Sequence, residues 1–114
     1  MRAGLQEIEI KSGLAAGGRI RNVFITAETV DGRALYRLYL RSSWSRHFLP
    51  LRSWADRSDR TYRELDRLIT LVRDDFGFQD YIILYRADDP KLSRYRTVSA
   101  KRSNFPLKPK PNRV

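Results

Sequence analysis

The sequence contains no cysteine and a single histidine, His47, and these two scarcities exclude several kinds of site. Without cysteine the chain can form no disulfide bond and offers no thiolate ligand to a metal. A single histidine also excludes zinc sites of the HExxH type, because these need two. The lack of cysteine fits a reducing compartment and so favours the cytoplasm.

Long apolar runs are also missing. Residues 1–13 contain no apolar stretch of the kind that a signal peptide requires. The longest aliphatic and aromatic run, residues 81–85, is far too short to cross a bilayer. We therefore predict a cytoplasmic protein with no membrane span.

Motifs for catalysis are absent as well. The chain has neither a phosphate-binding glycine loop nor a nucleophile elbow. Asp74-Asp75 and Asp88-Asp89 are neighbours in sequence, which is typical of helix ends and turns rather than of paired catalytic carboxylates. The sequence therefore predicts a protein that is not an enzyme and has no cofactor or metal.

Acidic residues are few beside the basic ones: 13 against 23, for a net charge of +10. Residues 1–85 hold 14 basic and 11 acidic side chains, a balance of +3, and residues 86–114 hold 9 and 2, a balance of +7. Eighteen of the basic residues are arginine, which binds phosphate in a bidentate manner and stacks on bases. This charge favours a polyanionic partner.

The length of 114 residues suits one domain. We predict a small α+β domain over residues 1–100 and a flexible basic tail over residues 101–114. The tail alternates prolines with lysines, as extended segments do, and basic arms of this kind add salt-sensitive affinity for nucleic acid.

Residues 20–44 predict one long β-hairpin around Asp31-Gly32, a pair that suits the two-residue type I′ turn. Counting outward from the turn places Phe24 opposite Tyr39. One face then carries mostly apolar residues: Val23, Ile25, Ala27, Thr29, Ala34, Tyr36, Leu38 and Leu40. The other face carries Asn22, Phe24, Thr26, Glu28, Leu35, Arg37, Tyr39 and Arg41. We expect the first to be the core face and the second to be open.

Aromatic rings beside arginines on an open sheet face are typical of surfaces that stack bases and hold phosphates. The sequence therefore predicts binding of nucleic acid, with single-stranded DNA or RNA favoured. The predicted binding residues are Phe24, Arg37, Tyr39 and Arg41 on the face, Arg21 near a strand end, and Arg94, Arg96, Lys101, Arg102, Lys108 and Lys110 toward the carboxyl terminus.

Two alternatives remain open for this face. Phe24 and Tyr39 can serve as a cross-strand pair that stabilises the hairpin, with the arginines merely solvated. The face can also be buried against another element or subunit. A rival hypothesis for the chain's function is an interaction module for an acidic protein partner or for a second copy, with the face or the apolar strand 81–85 as the interface.

The rest of the chain completes an antiparallel sheet with one helix, in the order β-β-β-(β)-α-β. Alternation predicts a first strand over Leu5–Lys11, followed by a loop over Ser12–Gly18. A short edge strand lies within 46–51, and Trp44 continues the core face by parity. An apolar stripe predicts a helix from about Asp59 to Phe76, with Ser58, Asp59 or Thr61 as N-cap and Gly77 as its stop. Further strands are predicted over 81–86 and 94–100.

Overall fold

The computed structural model describes residues 6–52 and 60–95, which form an α+β fold on a four-stranded mixed sheet of order β3-β2-β1-β4. The elements are α1 (Glu7–Ala15), β1 (Ile20–Val30), β2 (Arg33–Ser42), β3 (Leu49–Pro50), α2 (Leu65–Thr70), which continues as a π-helical turn (Leu71–Asp75), β4 (Ile83–Arg86) and a 3₁₀ helix (Pro90–Arg94).

The hairpin of β1 and β2 has the predicted turn and register. Asp31 and Gly32 both have positive φ, 52° and 76°, as a type I′ turn requires. Pairing runs without a break from Val30 opposite Arg33 to Asn22 opposite Arg41. The local turn chemistry therefore fixes which residues share a face.

The two remaining strands lie at the edges of the described sheet. β3 pairs antiparallel with β2, and β4 pairs parallel with β1, with Phe24 opposite Ile83. The predicted sheet was purely antiparallel, and the parallel β4 corrects this. The chain crosses from one edge of the sheet to the other through α2, and a long crossover of this kind brings the next strand in parallel.

The predicted amino-terminal strand is wrong, because these residues begin helix α1. Alternation over so few residues does not distinguish a strand from a helix, and here the helical contacts decide. Glu7 and Lys11 form an i,i+4 ion pair at 3.1 Å, and the Gln6 N–H donates to the Glu9 carboxylate at the helix start. Ile10 is buried, whereas Ile8 is 65% exposed. The helix also occupies the first part of the predicted loop.

Helix α2 begins later than predicted. Before it, Tyr62 forms a β-bridge with Tyr36 in which each backbone N–H donates to the other's carbonyl, at 2.8 and 2.9 Å. A residue paired in this way cannot serve in a first helical turn, so the N-cap predicted at Thr61 is wrong. Ser58 and Asp59 lie outside the described residues. Gly77 follows the helix with φ of 70°, as predicted for its stop.

The main core lies on the predicted apolar face of the hairpin. Helices α1 and α2 pack there, and the buried members are Ile10, Ile20, Val23, Ile25, Leu38, Leu40, Leu51, Leu68, Val72, Phe76 and Phe78. Trp44 is not among them, contrary to its predicted place. It lies in the turn after β2, 41% exposed, with its indole against the backbone of Gly13 and Gly18.

Candidate functional site

The second face of the hairpin carries a second core rather than an open surface. Phe24 and Tyr39 lie opposite each other as predicted, stacked with ring centroids 4.8 Å apart. However, only 1% and 0% of their surfaces are exposed. The prediction that both rings face solvent is therefore wrong, and neither can stack on a base in this structure.

Later parts of the chain cover these rings. Tyr85 of β4 and Leu92 of the 3₁₀ helix form one buried cluster with them, and the half-buried Phe48 and Tyr95 pack against it. Tyr95 stacks on Phe24 with a centroid distance of 4.3 Å, and its hydroxyl lies 2.8 Å from that of Tyr85. Burial and this hydrogen bond raise the pKa of Tyr95. Of the alternatives that the sequence leaves open, the structure shows burial by another element of the same chain.

Arg37, the first of the predicted arginines, is engaged within the hairpin. Its Nη1 lies 2.6 Å from Oε2 of Glu28, and the two side chains are 18% and 27% exposed. The carboxylate offsets the charge of the guanidinium, and burial holds the pair in place. Arg37 therefore stabilises the hairpin here and is not on an open surface as predicted.

Arg21 and Arg41 both lie at the end of the hairpin opposite its turn. The pairing of β1 with β2 shifts there, because Ile20 lies opposite Ser42 while Asn22 lies opposite Arg41, which leaves Arg21 as an extra residue. Such bulges re-aim side chains at sheet margins. As a result Arg21 and Asn22, although neighbours in a strand, are both exposed.

Arg41 is oriented without losing its charge. Its Nε and Nη2 both donate to the amide oxygen Oδ1 of Asn22, the former at 2.9 Å. An amide oxygen is neutral, so the guanidinium keeps its full charge and three of its five N–H groups remain for another acceptor. This is the opposite of the arrangement around Arg37.

These side chains line a groove of about 550 Å³, the arginine groove, which we define by Arg19, Arg21 and Arg41. Its far wall is the segment 76–80 after α2. Among the described residues that line it, Asp80 carries the one negative charge, and its Oδ1 accepts the N–H of Tyr81 at 2.8 Å.

The far wall is braced by Arg73. Its Nη1 donates to the backbone carbonyls of Phe78, at 2.8 Å, and Asp80. This side chain therefore fixes the position of the wall and places a further positive charge behind it.

A smaller cavity of about 260 Å³ adjoins the groove. We call it the aromatic pocket and define it by Phe48, Tyr81 and Tyr95; Val23, Phe24 and Ile83 also line it. Asn22 lines both cavities, so they meet at this residue. Phe48 and Tyr95 are half-buried, whereas Tyr81 is 78% exposed.

Part of the predicted site thus comes together and part does not. The groove unites Arg21 and Arg41, while Arg94 ends the 3₁₀ helix and is not among the residues lining the groove. The other predicted basic residues lie outside the described residues: Arg96, Lys101, Arg102, Lys108 and Lys110. The strand predicted over 94–100 also falls there, apart from Arg94 in the 3₁₀ helix and Tyr95 after it.

Tyr81, Phe48 and Asn22 were not among the predicted binding residues. The sequence held one signal for Tyr81: it alternates with Ile83 and Tyr85, which places all three on the second face. Phe48 gave no such signal, because it precedes β3, and that strand is only two residues long and shows no alternation.

The chain matches no protein-family model, and neither curated proteins nor solved structures show a match to it. In the part of the chain that the structure describes, no helix is both long enough and apolar enough to cross a membrane. Over the same residues, no three side chains of His, Asp or Glu form a group that could hold a metal ion. Functional inference therefore depends on the groove and the pocket.

Proposed function

We propose that this chain is a non-enzymatic, cytoplasmic protein that binds nucleic acid, with the arginine groove as the contact for the phosphate backbone. One observation carries the proposal. Arg19, Arg21 and Arg41 line a single groove, and within residues 6–52 and 60–95 no carboxylate forms an ion pair with any of them.

Several other arginines of the described chain are paired with carboxylates, unlike the three that line the groove. Arg60 lies 3.0 Å from Glu7, Arg67 lies 3.7 Å from Glu64, and Arg86 lies 3.3 Å from Asp88. A cation already paired with a carboxylate gains less from a phosphate than an unpaired one. Unpaired guanidiniums that share one concave surface favour a ligand with several phosphates.

The basic carboxyl-terminal segment supports the same proposal. Lys101, Arg102, Lys108, Lys110 and Arg113 occur there without any acidic residue between them. Such a segment adds affinity that is independent of sequence and sensitive to salt. The groove would then set where the strand lies, and the segment would strengthen the complex.

The experiment compares the charge-removing variants R21Q and R33Q. Arg33 is exposed at the turn end of the hairpin, nine strand residues or about 30 Å from Arg21, so the two variants lose the same charge at opposite ends. Affinity for a labelled oligonucleotide is measured by anisotropy at several salt concentrations. We expect R21Q to weaken binding and to reduce the salt slope by about 0.7 on single strands or about 0.9 on duplex.

R33Q should leave both the affinity and the slope nearly unchanged. Equal losses in R21Q and R33Q would show that net charge alone attracts the ligand and that the groove is not the site. Deleting residues 101–114 should lower the slope further, and a chain that binds no oligonucleotide at low salt would contradict the proposed function itself.

A specific observation also favours a second function, the binding of another protein. β4 is an edge strand of the described sheet, and its Leu84 is 52% exposed on the face opposite Tyr85. Unpaired strand edges with apolar side chains can pair with another chain. Sedimentation of L84D beside the parent tests this, since an assembly held together at β4 should dissociate in the variant.

A further inference from the structure

The aromatic pocket presents apolar surface beside a charged groove. Tyr81 is the most exposed of the large hydrophobic side chains in the described chain, at 78%, and Ile83 on the same face of β4 is 41% exposed. Single exposed rings are common on protein surfaces. Here, however, the ring stands at the mouth of a cavity that Phe48 and Tyr95 also line.

Asn22 connects the pocket to the groove in chemistry as well as in space. A guanidinium has donors only, so the amide group must turn its oxygen toward Arg41 and its NH₂ away. The two N–H donors of that NH₂ have no partner within the described residues. The residue that joins the cavities thus offers a donor pair to an acceptor entering the pocket.

We infer that the aromatic pocket binds one unpaired base of a nucleic-acid strand whose phosphates lie in the arginine groove. This inference rests on the proposed function and adds its substrate class, single-stranded nucleic acid. The base stacks on Tyr81 and contacts the edges of Phe48 and Tyr95, and the Asn22 amide donates to an acceptor on the base.

The pairing of charge with rings selects this occupant over an acidic peptide. A nucleotide has a negatively charged phosphate next to an aromatic base. The arginine groove and the aromatic pocket also lie side by side, so each can bind one of these two parts. Sequence-tolerant binding of single strands uses the same combination of cationic groove and stacking ring. A base within a duplex is already stacked and paired, so it cannot enter the pocket unless it is flipped out.

The experiment uses the full chain and the variants Y81A and L84A. Tyr81 and Leu84 are both exposed on the β4 side of the sheet, but they face opposite sides, so L84A is the matched control. We expect Y81A to weaken binding of short oligothymidylate by about 5- to 150-fold, because one base stack is lost. Affinity for a duplex of the same length should not change, and L84A should bind both as the parent does.

A second measurement needs no variant. An abasic oligonucleotide keeps the phosphates and lacks the bases, so the parent should bind it more weakly than oligothymidylate by a similar factor. Y81A should bind the two nearly equally. A parent that does not distinguish them would overturn the inference.

Failure of the inference is separable from failure of the proposed function. If Y81A binds oligothymidylate as the parent does while R21Q binds it more weakly, the groove is a phosphate site and the pocket holds no base. If R21Q and R33Q weaken binding equally, the groove is not the phosphate site and the inference falls with it, whereas a chain that binds no oligonucleotide at low salt contradicts the proposed function itself. If Y81A and L84A both change the sedimentation mass, β4 is an interface between copies, which also overturns the inference.

Discussion

Replacing Phe24 with alanine measures directly whether the second face of the sheet is a core. The ring is 1% exposed and contacts four others: it stacks on Tyr39 and Tyr95, at 4.8 and 4.3 Å between centroids, and it meets Phe48 and Tyr85 edge-on, at 4.9 and 5.6 Å. Removing a ring from such a site loses its transfer free energy and leaves a cavity.

The expected cost follows from these contacts. Truncation of a buried phenylalanine reduces the free energy of unfolding by about 3–5 kcal/mol. Phe48 and Tyr95 are half-buried and can move partly into the cavity, so we expect F24A toward the lower end of that range. An open cross-strand pair would give a much smaller loss, at most about 1 kcal/mol. The two arrangements therefore differ by at least about 2 kcal/mol.

Urea denaturation measures this difference through the midpoint, provided that the m value is unchanged. Y81A is the matched control, because its ring lies on the same face but is 78% exposed, and its loss should stay within about 1 kcal/mol. If F24A and Y81A lose the same small amount, the cover formed by Tyr85, Leu92 and Tyr95 is not in place in solution. The second face would then be open as the sequence suggests.

Two further predictions concern the amino-terminal part of the fold. A Cβ added at Gly18 would lie 2.5 Å from the Trp44 ring and 2.9 Å from the Gly13 carbonyl oxygen. G18A should therefore reduce the free energy of unfolding, measured by urea denaturation, by about 1–3 kcal/mol. If G18A costs as much in a W44A background, the Trp44 ring is not the cause of the loss. A hydrogen bond from Arg60 lowers the pKa of Glu7 below 4.5 in the folded protein. The Glu7 carboxylate therefore stabilises the fold above pH 4.5, and this stabilisation is lost as the pH falls through the pKa of the folded state. The stability difference between the parent and E7Q should therefore shrink on acidification, and a constant difference would refute the linkage.

The hairpin was predictable because its signals are local. Asp31-Gly32 specifies the turn, the turn specifies the register, and alternation then assigns the faces. The predicted opposition of Phe24 and Tyr39 is correct for this reason. The bulge at Arg21 was not predictable, since nothing in the sequence marks where pairing shifts, yet it exposes two successive residues at the groove.

The cover on the second face illustrates a different limit. Tyr85, Leu92 and Tyr95 lie some sixty to seventy positions after Phe24, and their contact with it depends on the parallel placement of β4. Rings on a strand suit both a buried layer and a stacking surface, so composition does not separate the two. Only the path of the later chain decides between them.

Arginine is abundant in this chain, but its partners determine what each residue does. Arg37 is neutralised by Glu28, Arg73 fixes the carbonyls of the groove wall, and Arg41 is aimed by a neutral amide. A count of charges treats all three alike. Arg41 differs from Arg37 because no carboxylate pairs with it, and from Arg73 because it lines the groove itself, beside Arg19 and Arg21, where a phosphate chain can contact it. The location of carboxylates, more than the number of arginines, therefore identifies the candidate site in this fold.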